Sequence, residues 1–120
     1  IAMASIAPGD PQLCVFDDAP VPVLIASAPT TSYRVMSNVL GPLLSSAAEE
    51  RDMLLETLEA YFAAGSIAEA AKRLFCHRNT VRHRLSRIEQ LTGRSVDDPS
   101  GAVELYIAIQ TMLRLPKPPD

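Results

Sequence analysis

Through the middle of this chain apolar residues recur at helical spacing, and the order fades toward both ends. Glu49 to Ala64 carries Met53, Leu54, Leu58, Tyr61 and Phe62 on one side, with Glu49, Glu50, Asp52, Glu56 and Glu59 outside. That pattern predicts an amphipathic helix whose early acids suit the positive end of its dipole. Gly65 is placed to stop it. Ser66-Ile67-Ala68-Glu69 then matches a capping box, with Ser66 as N-cap and Glu69 reaching back to the Ser66 N–H. The helix so opened, Ile67 to Leu74, holds Ala70 and Ala71, small enough for a neighbouring helix to come close. Phe75-Cys76-His77 reads as a turn, and another helix starts at Arg78. Val81, Leu85, Ile88 and Leu91 form its apolar face, and Gly93 is its C-cap.

After the loop Arg94 to Asp97, Asp98-Pro99 reads as N-cap and first turn of a last helix, Ser100 to Leu115. It is apolar almost all round, which predicts burial on more than one side. One of those sides is a candidate contact for a second copy of the chain, with Tyr106, Ile109 and Leu113 as anchors.

Proline sets the limits of this region. Six of the ten prolines lie between Pro8 and Pro42, and none between Leu43 and Asp98, so long helices belong in the middle. Upstream, Leu13-Cys14-Val15-Phe16 reads as a strand remnant, and Val21 to Ala26 stays open between strand and helix. Thr30 to Leu40 can form a helix, capped by Thr30 or Thr31 and ended by Gly41-Pro42. The expected fold is all-α: a compact helical domain with a helix-turn-helix at 49–115, a remnant or linker of a preceding domain at 1–48, and a tail at 116–120.

Composition adds little to the fold and more to the function. With three Phe, three Tyr and no Trp, the core falls to Leu, Ile, Val and Ala, which suits packed helices. Cys14 and Cys76 sit in no metal-ligand or CxxC spacing, so they read as free thiols of a reducing cytoplasm, with no metal or cofactor expected. No apolar run approaches the roughly 18 residues of a membrane span, and the first residues lack the basic start of a signal peptide. The chain opens in mid-pattern without Met, as a piece of something longer would.

Charge changes the picture most. The net charge is −3, yet from Ser66 to Arg94 seven cations face two acids, a local balance of +5. The remainder holds four cations against twelve acids, a balance of −8. A basic segment focused on a turn between two helices is the electrostatic footprint of a double-stranded DNA binder. If the helix from Arg78 enters the major groove, Arg78 and Arg82 can each donate two bonds to guanine O6 and N7, and Asn79 can pair with the N6/N7 edge of adenine. His77 and Thr80, at the helix start, are placed for phosphate. Lys72, Arg73 and Arg87 would hold the phosphate backbone, and His83 faces solvent near the DNA with no second ligand for a metal. Arg84 lies on the flank of the core face and should pair with an acid of the first helix.

At this point a resemblance enters. Leu-Leu-x-Thr-Leu at 54–58, Ala-Ala-x-x-Leu at 70–74, His-Arg-Asn-Thr-Val at 77–81, Arg-Leu at 84–85 and Leu-Thr-Gly at 91–93 resemble the C-terminal helix-turn-helix of PucR/CdaR-type bacterial transcriptional regulators. The similarity spans about 53–115, the helix pair is also similar to the DNA-binding end of Fis-type proteins, and Leu40-Gly41-Pro42-Leu43 resembles the joint to a preceding regulatory domain. Cys76 and His83 depart from the family's valine-like and tyrosine-like residues. The resemblance implies a regulator that senses a small-molecule effector, a metabolite, through N-terminal domains and reads promoter DNA with this one. A dimer is expected on separate grounds, since a lone helix-turn-helix offers too few phosphate contacts for useful affinity at physiological salt. Two other readings stay open: a helical module whose arginines dock an acidic protein, and an architectural DNA binder of nucleoid type. No carboxylate pair, P-loop, GxSxG or metal spacing suggests an enzyme.

Overall fold

The computed structural model describes residues 19–115, which form six α-helices and no strand. They are α1 (Pro20–Ser27), α2 (Pro29–Leu44), α3 (Ala48–Ala64), α4 (Ile67–Leu74), α5 (Arg78–Thr92) and α6 (Pro99–Arg114). The all-α class read from the sequence holds. The strand remnant expected at Leu13–Phe16 and the tail at 116–120 lie outside the described residues.

Val21 to Ala26, open between strand and helix, is helical, with Pro20 and Pro22 in the opening turn where a missing N–H costs nothing. Pro29 starts α2 in the same way, so Ala28 and not Thr30 or Thr31 is its N-cap. The Ser32 hydroxyl donates to the Ile25 carbonyl at 3.0 Å and ties α1 to α2. The end expected at Gly41-Pro42 does not occur, because α2 runs on to Leu44. Pro42 removes the bond to the Asn38 carbonyl, but Asn38 and Pro42 both lie on the solvent side, where water can satisfy that oxygen. On the opposite side Leu40 and Leu43 are fully buried, and that burial carries the helix past the proline. Ser45 and Ser46 then terminate it through bonds to the Gly41 and Leu43 carbonyls.

A single core joins α2 to α6. Val39, Leu40 and Leu43 of α2 lie in one cluster with Leu54 and Leu58 of α3, Ala70 and Ala71 of α4, Val81, Leu85 and Ile88 of α5, and Leu105, Ala108 and Ile109 of α6. Packing therefore does not break at the boundary expected between 48 and 49. α2 lends its apolar face to the domain that follows and packs along α6.

The C-terminal helix is phased by that packing. Ile109, chosen from the sequence as a contact for a second copy, is only 2% exposed and belongs to the monomer core. Tyr106 is half-buried with its ring edge-to-face on Phe62, centroids 5.2 Å apart. Leu113 at 48% and Val103 at 57% are the large apolar residues that α6 exposes. At its start the Asp98 carboxylate accepts the Gly101 N–H at 2.9 Å. Gly101 sits against the preceding loop so closely that a Cβ there would lie 2.7 Å from the Ser95 carbonyl oxygen.

Candidate nucleic-acid interface

Helices α3, α4 and α5 form the unit that carries the basic segment. Gly65, at φ 86°, turns the chain sharply out of α3. The Ser66 hydroxyl accepts the Glu69 N–H at 3.2 Å, as the capping pattern predicted. The return half of the box is not made, since the Glu69 carboxylate instead accepts from the Lys72 ammonium at 3.2 Å. Ala70 and Ala71 are buried where α4 meets its neighbours.

The turn depends on Phe75. Its φ of 55° makes it the non-glycine residue with left-handed backbone among those described. The Phe75 N–H donates to the Lys72 carbonyl and the Cys76 N–H to the Ala71 carbonyl, at 3.3 and 3.1 Å. This is the paired closure with which helices commonly end on glycine, here made by a phenylalanine whose side chain is 96% exposed. The sequence reading treated Phe75 only as part of the turn. Nothing in a phenylalanine signals left-handed backbone; only its place after Leu74 could have pointed there.

His77 is the N-cap of α5, and its Nδ1 accepts the Asn79 N–H at 3.0 Å. That bond satisfies one free donor of the first turn and leaves Nε2–H to face outward. Val81, Leu85 and Ile88 point into the core, as the apolar spacing predicted. His77, Arg78, Asn79, Arg82 and His83 are consequently exposed together around the first two turns, with Thr80 half-buried beside them. The Arg82 guanidinium donates to Asn79 Oδ1 at 3.2 Å.

Counting charges along the chain treats the seven cations of 66–94 alike, but the structure divides them. Lys72, Arg73, Arg78 and Arg82 are exposed. Arg84 donates to the Thr57 hydroxyl at 3.4 Å, so its partner is a hydroxyl of α3 and not the acid expected for it. Arg87 donates to both carboxylate oxygens of Glu50 at 3.1 and 3.3 Å and to Gln90 at 3.3 Å. Arg94 holds Glu104 of α6, Asn38 of α2 at 3.1 Å and the Thr92 carbonyl at 2.9 Å. Three arginines thus brace α5 and the loop after it against the scaffold, and four cations are left on the open surface.

A short helix, a tight turn, and a second helix with a buried apolar face and a polar, cationic free face make up a helix-turn-helix, the element by which regulators place a helix in the DNA major groove. Comparison with known proteins gives the family. Residues 54–111 match the model of the PucR C-terminal helix-turn-helix domain, and this part of the chain belongs to that family. The purine catabolism regulatory protein of Bacillus subtilis is 35% identical over 97 residues, covering 80% of this chain and 18% of its own length. An uncharacterised protein of Mycobacterium tuberculosis is 44% identical over 73 residues, 60% of this chain and 17% of its own. The carbohydrate diacid regulator of Escherichia coli is 38% identical over 63 residues, 52% of this chain and 16% of its own. The chain thus spans about a sixth of the length of these relatives. No solved structure matches it. Fold and family together make this a DNA-binding domain of transcriptional-regulator type. Among the described residues no helix is long and apolar enough to cross a membrane.

Proposed function

We propose that this chain is the sequence-reading end of a bacterial transcriptional regulator, working in the cytoplasm on double-stranded promoter DNA. The observation that carries the reading is the group Arg78, Asn79, Arg82 and His83, exposed together at the start of α5 opposite a buried Val81-Leu85-Ile88 face. Arg78 and Arg82 can bond base edges, while His77, Thr80, Lys72 and Arg73 suit phosphate. Arg87 suits phosphate through the two N–H groups that its bonds to Glu50 and Gln90 leave over.

The regulators that share this domain are several times longer than the chain, which supports an effector bound by segments outside it. A homodimer remains part of the proposal, because one small helix-turn-helix makes too few phosphate contacts for useful affinity at physiological salt. Its surface would use Leu113 and Val103 of α6, since Ile109 is taken up by the core. Titrating labelled promoter duplex with the chain, and repeating with Arg82→Ala, tests the reading. Saturable, sequence-dependent binding weakened by Arg82→Ala supports it, and indifference of binding to sequence contradicts it.

A further inference from the structure

The Phe75 side chain packs against almost nothing in the monomer. Its ring is 96% exposed, the most of any large apolar residue among those described. Its φ of 55° is a conformation that glycine adopts freely and phenylalanine does not. Neither burial nor backbone geometry therefore calls for a phenylalanine at this turn. The ring stands at the rim of an open cleft of about 500 Å³ between α3 and α4. Arg73 and Phe75 lie on the α4 side, and Glu56, Glu59, Ala60 and Ala63 on the α3 side. These four α3 residues follow one another at i, i+3, i+4 and i+7, so they form one stripe, carboxylates toward one end and methyl groups toward the other. Among the described residues Glu56, Glu59 and Arg73 take part in no ion pair.

The two walls complement each other. One offers an aromatic ring and a cation, the other a hollow over small side chains and two carboxylates. A surface that carries both halves of a contact fits a second copy of itself about a two-fold axis, where residue i meets j while j meets i. We infer that two copies of this chain pair through this cleft, Phe75 of each entering the hollow over Ala60 and Ala63 of the other. Arg73 of each then meets Glu56 and Glu59 of the second copy, and not phosphate. A cavity of roughly 150 Å³ already holds a benzene ring, so the cleft has room for the phenyl group. No residue of α6 lines it, so this contact is separate from the Leu113 and Val103 surface. These few residues fall well short of the roughly 20–30 a side of a stable interface. The pairing is therefore too weak to hold free copies together. It acts between copies already seated on neighbouring DNA sites, where their effective concentration is high, and so rests on the proposed binding to promoter DNA. Its effect is cooperative binding.

The test titrates the chain onto duplexes that carry one or two copies of a site selected from a randomised pool, the pair inverted and its spacing varied base pair by base pair. Leu113→Glu in every chain keeps the α6 surface out of the readout. At one spacing the second copy binds about tenfold or more tighter than the first. Phe75→Gly, which suits the left-handed turn, removes that gain and leaves single-site affinity within about twofold. Phe75→Asn, also at ease in this backbone, gives the same result. Reversing the acids, Glu56→Arg with Glu59→Arg, removes the cooperativity, and adding Arg73→Glu restores it, each chain being judged against its own single-site affinity. Cooperativity that survives Phe75→Gly, that the charge swap fails to restore, or that occurs at no spacing overturns the pairing. A fall in single-site affinity with Phe75→Gly, at an undiminished melting temperature, puts the ring on DNA and overturns it too. Single-site binding indifferent to sequence overturns the proposed function itself.

Discussion

The Arg87 guanidinium straddles the Glu50 carboxylate, Nε 3.1 Å from one oxygen and Nη2 3.3 Å from the other, and so fastens the second helix of the helix-turn-helix, α5, to the first turn of α3. A planar fork on a carboxylate is the strongest geometry an exposed ion pair can take. It also means that one arginine of the basic segment is neutralised locally before any DNA arrives.

Replacing Glu50 by Gln releases that arginine. Binding to any duplex should then tighten, and the slope of log affinity against log salt should steepen by about 0.9, the value for one added phosphate contact. Stability should fall by no more than about 1 kcal/mol, since both groups are partly solvated. Affinity measured across a salt series checks this, and an unchanged slope restricts Arg87 to bracing.

Core truncations test whether the segment before residue 48 belongs to the domain. Leu85→Ala and Leu43→Ala each remove a buried side chain from the same cluster, and each should cost about 2–5 kcal/mol in urea unfolding. A tolerated Leu43→Ala would show that α2 is dispensable to the helix-turn-helix.

How much of this was legible in the sequence depended on whether the signal was local. The limits of α4 and α5 could be read because Gly65, Ser66 and Gly93 mark them within a few residues and because Val81, Leu85 and Ile88 keep one phase. The run of α2 past Pro42 could not, since it is sustained by burial of Leu40 and Leu43 against helices distant in sequence. The partners of Arg84, Arg87 and Arg94 were hidden for the same reason: Thr57, Glu50 and Asn38 lie 27, 37 and 56 positions away. Helix α6, apolar on nearly every side, offered no phase, so Ile109 was assigned outward when packing turns it inward.

Backbone strain in the turn is open to a direct check. Phe75 holds φ 55° with its side chain in water. Glycine there relieves roughly 1–2 kcal/mol of left-handed strain against roughly 0.5–1 kcal/mol of added chain entropy. Phe75→Gly should therefore raise stability by about 0.5–1 kcal/mol. A lower melting temperature would mean that the ring makes a stabilising contact in solution.

Gly101 tests the seat of α6. A methyl group there would press on the Ser95 backbone, which has little room to yield beside the Asp98 cap. Gly101→Ala should destabilise by about 1–3 kcal/mol in thermal or urea unfolding, the ordinary cost of overpacking. Helix propensity alone would make the same substitution stabilising, so the sign of the change decides between the two.

The most direct measurement of the central claim compares Arg82→Ala with the unaltered chain on a selected duplex and on a duplex of random sequence, at one salt concentration. Sequence reading by the exposed face of α5 predicts a loss of about 1–3 kcal/mol on the selected duplex and little change on the random one. Equal losses on both would place Arg82 on the phosphate backbone and contradict the account.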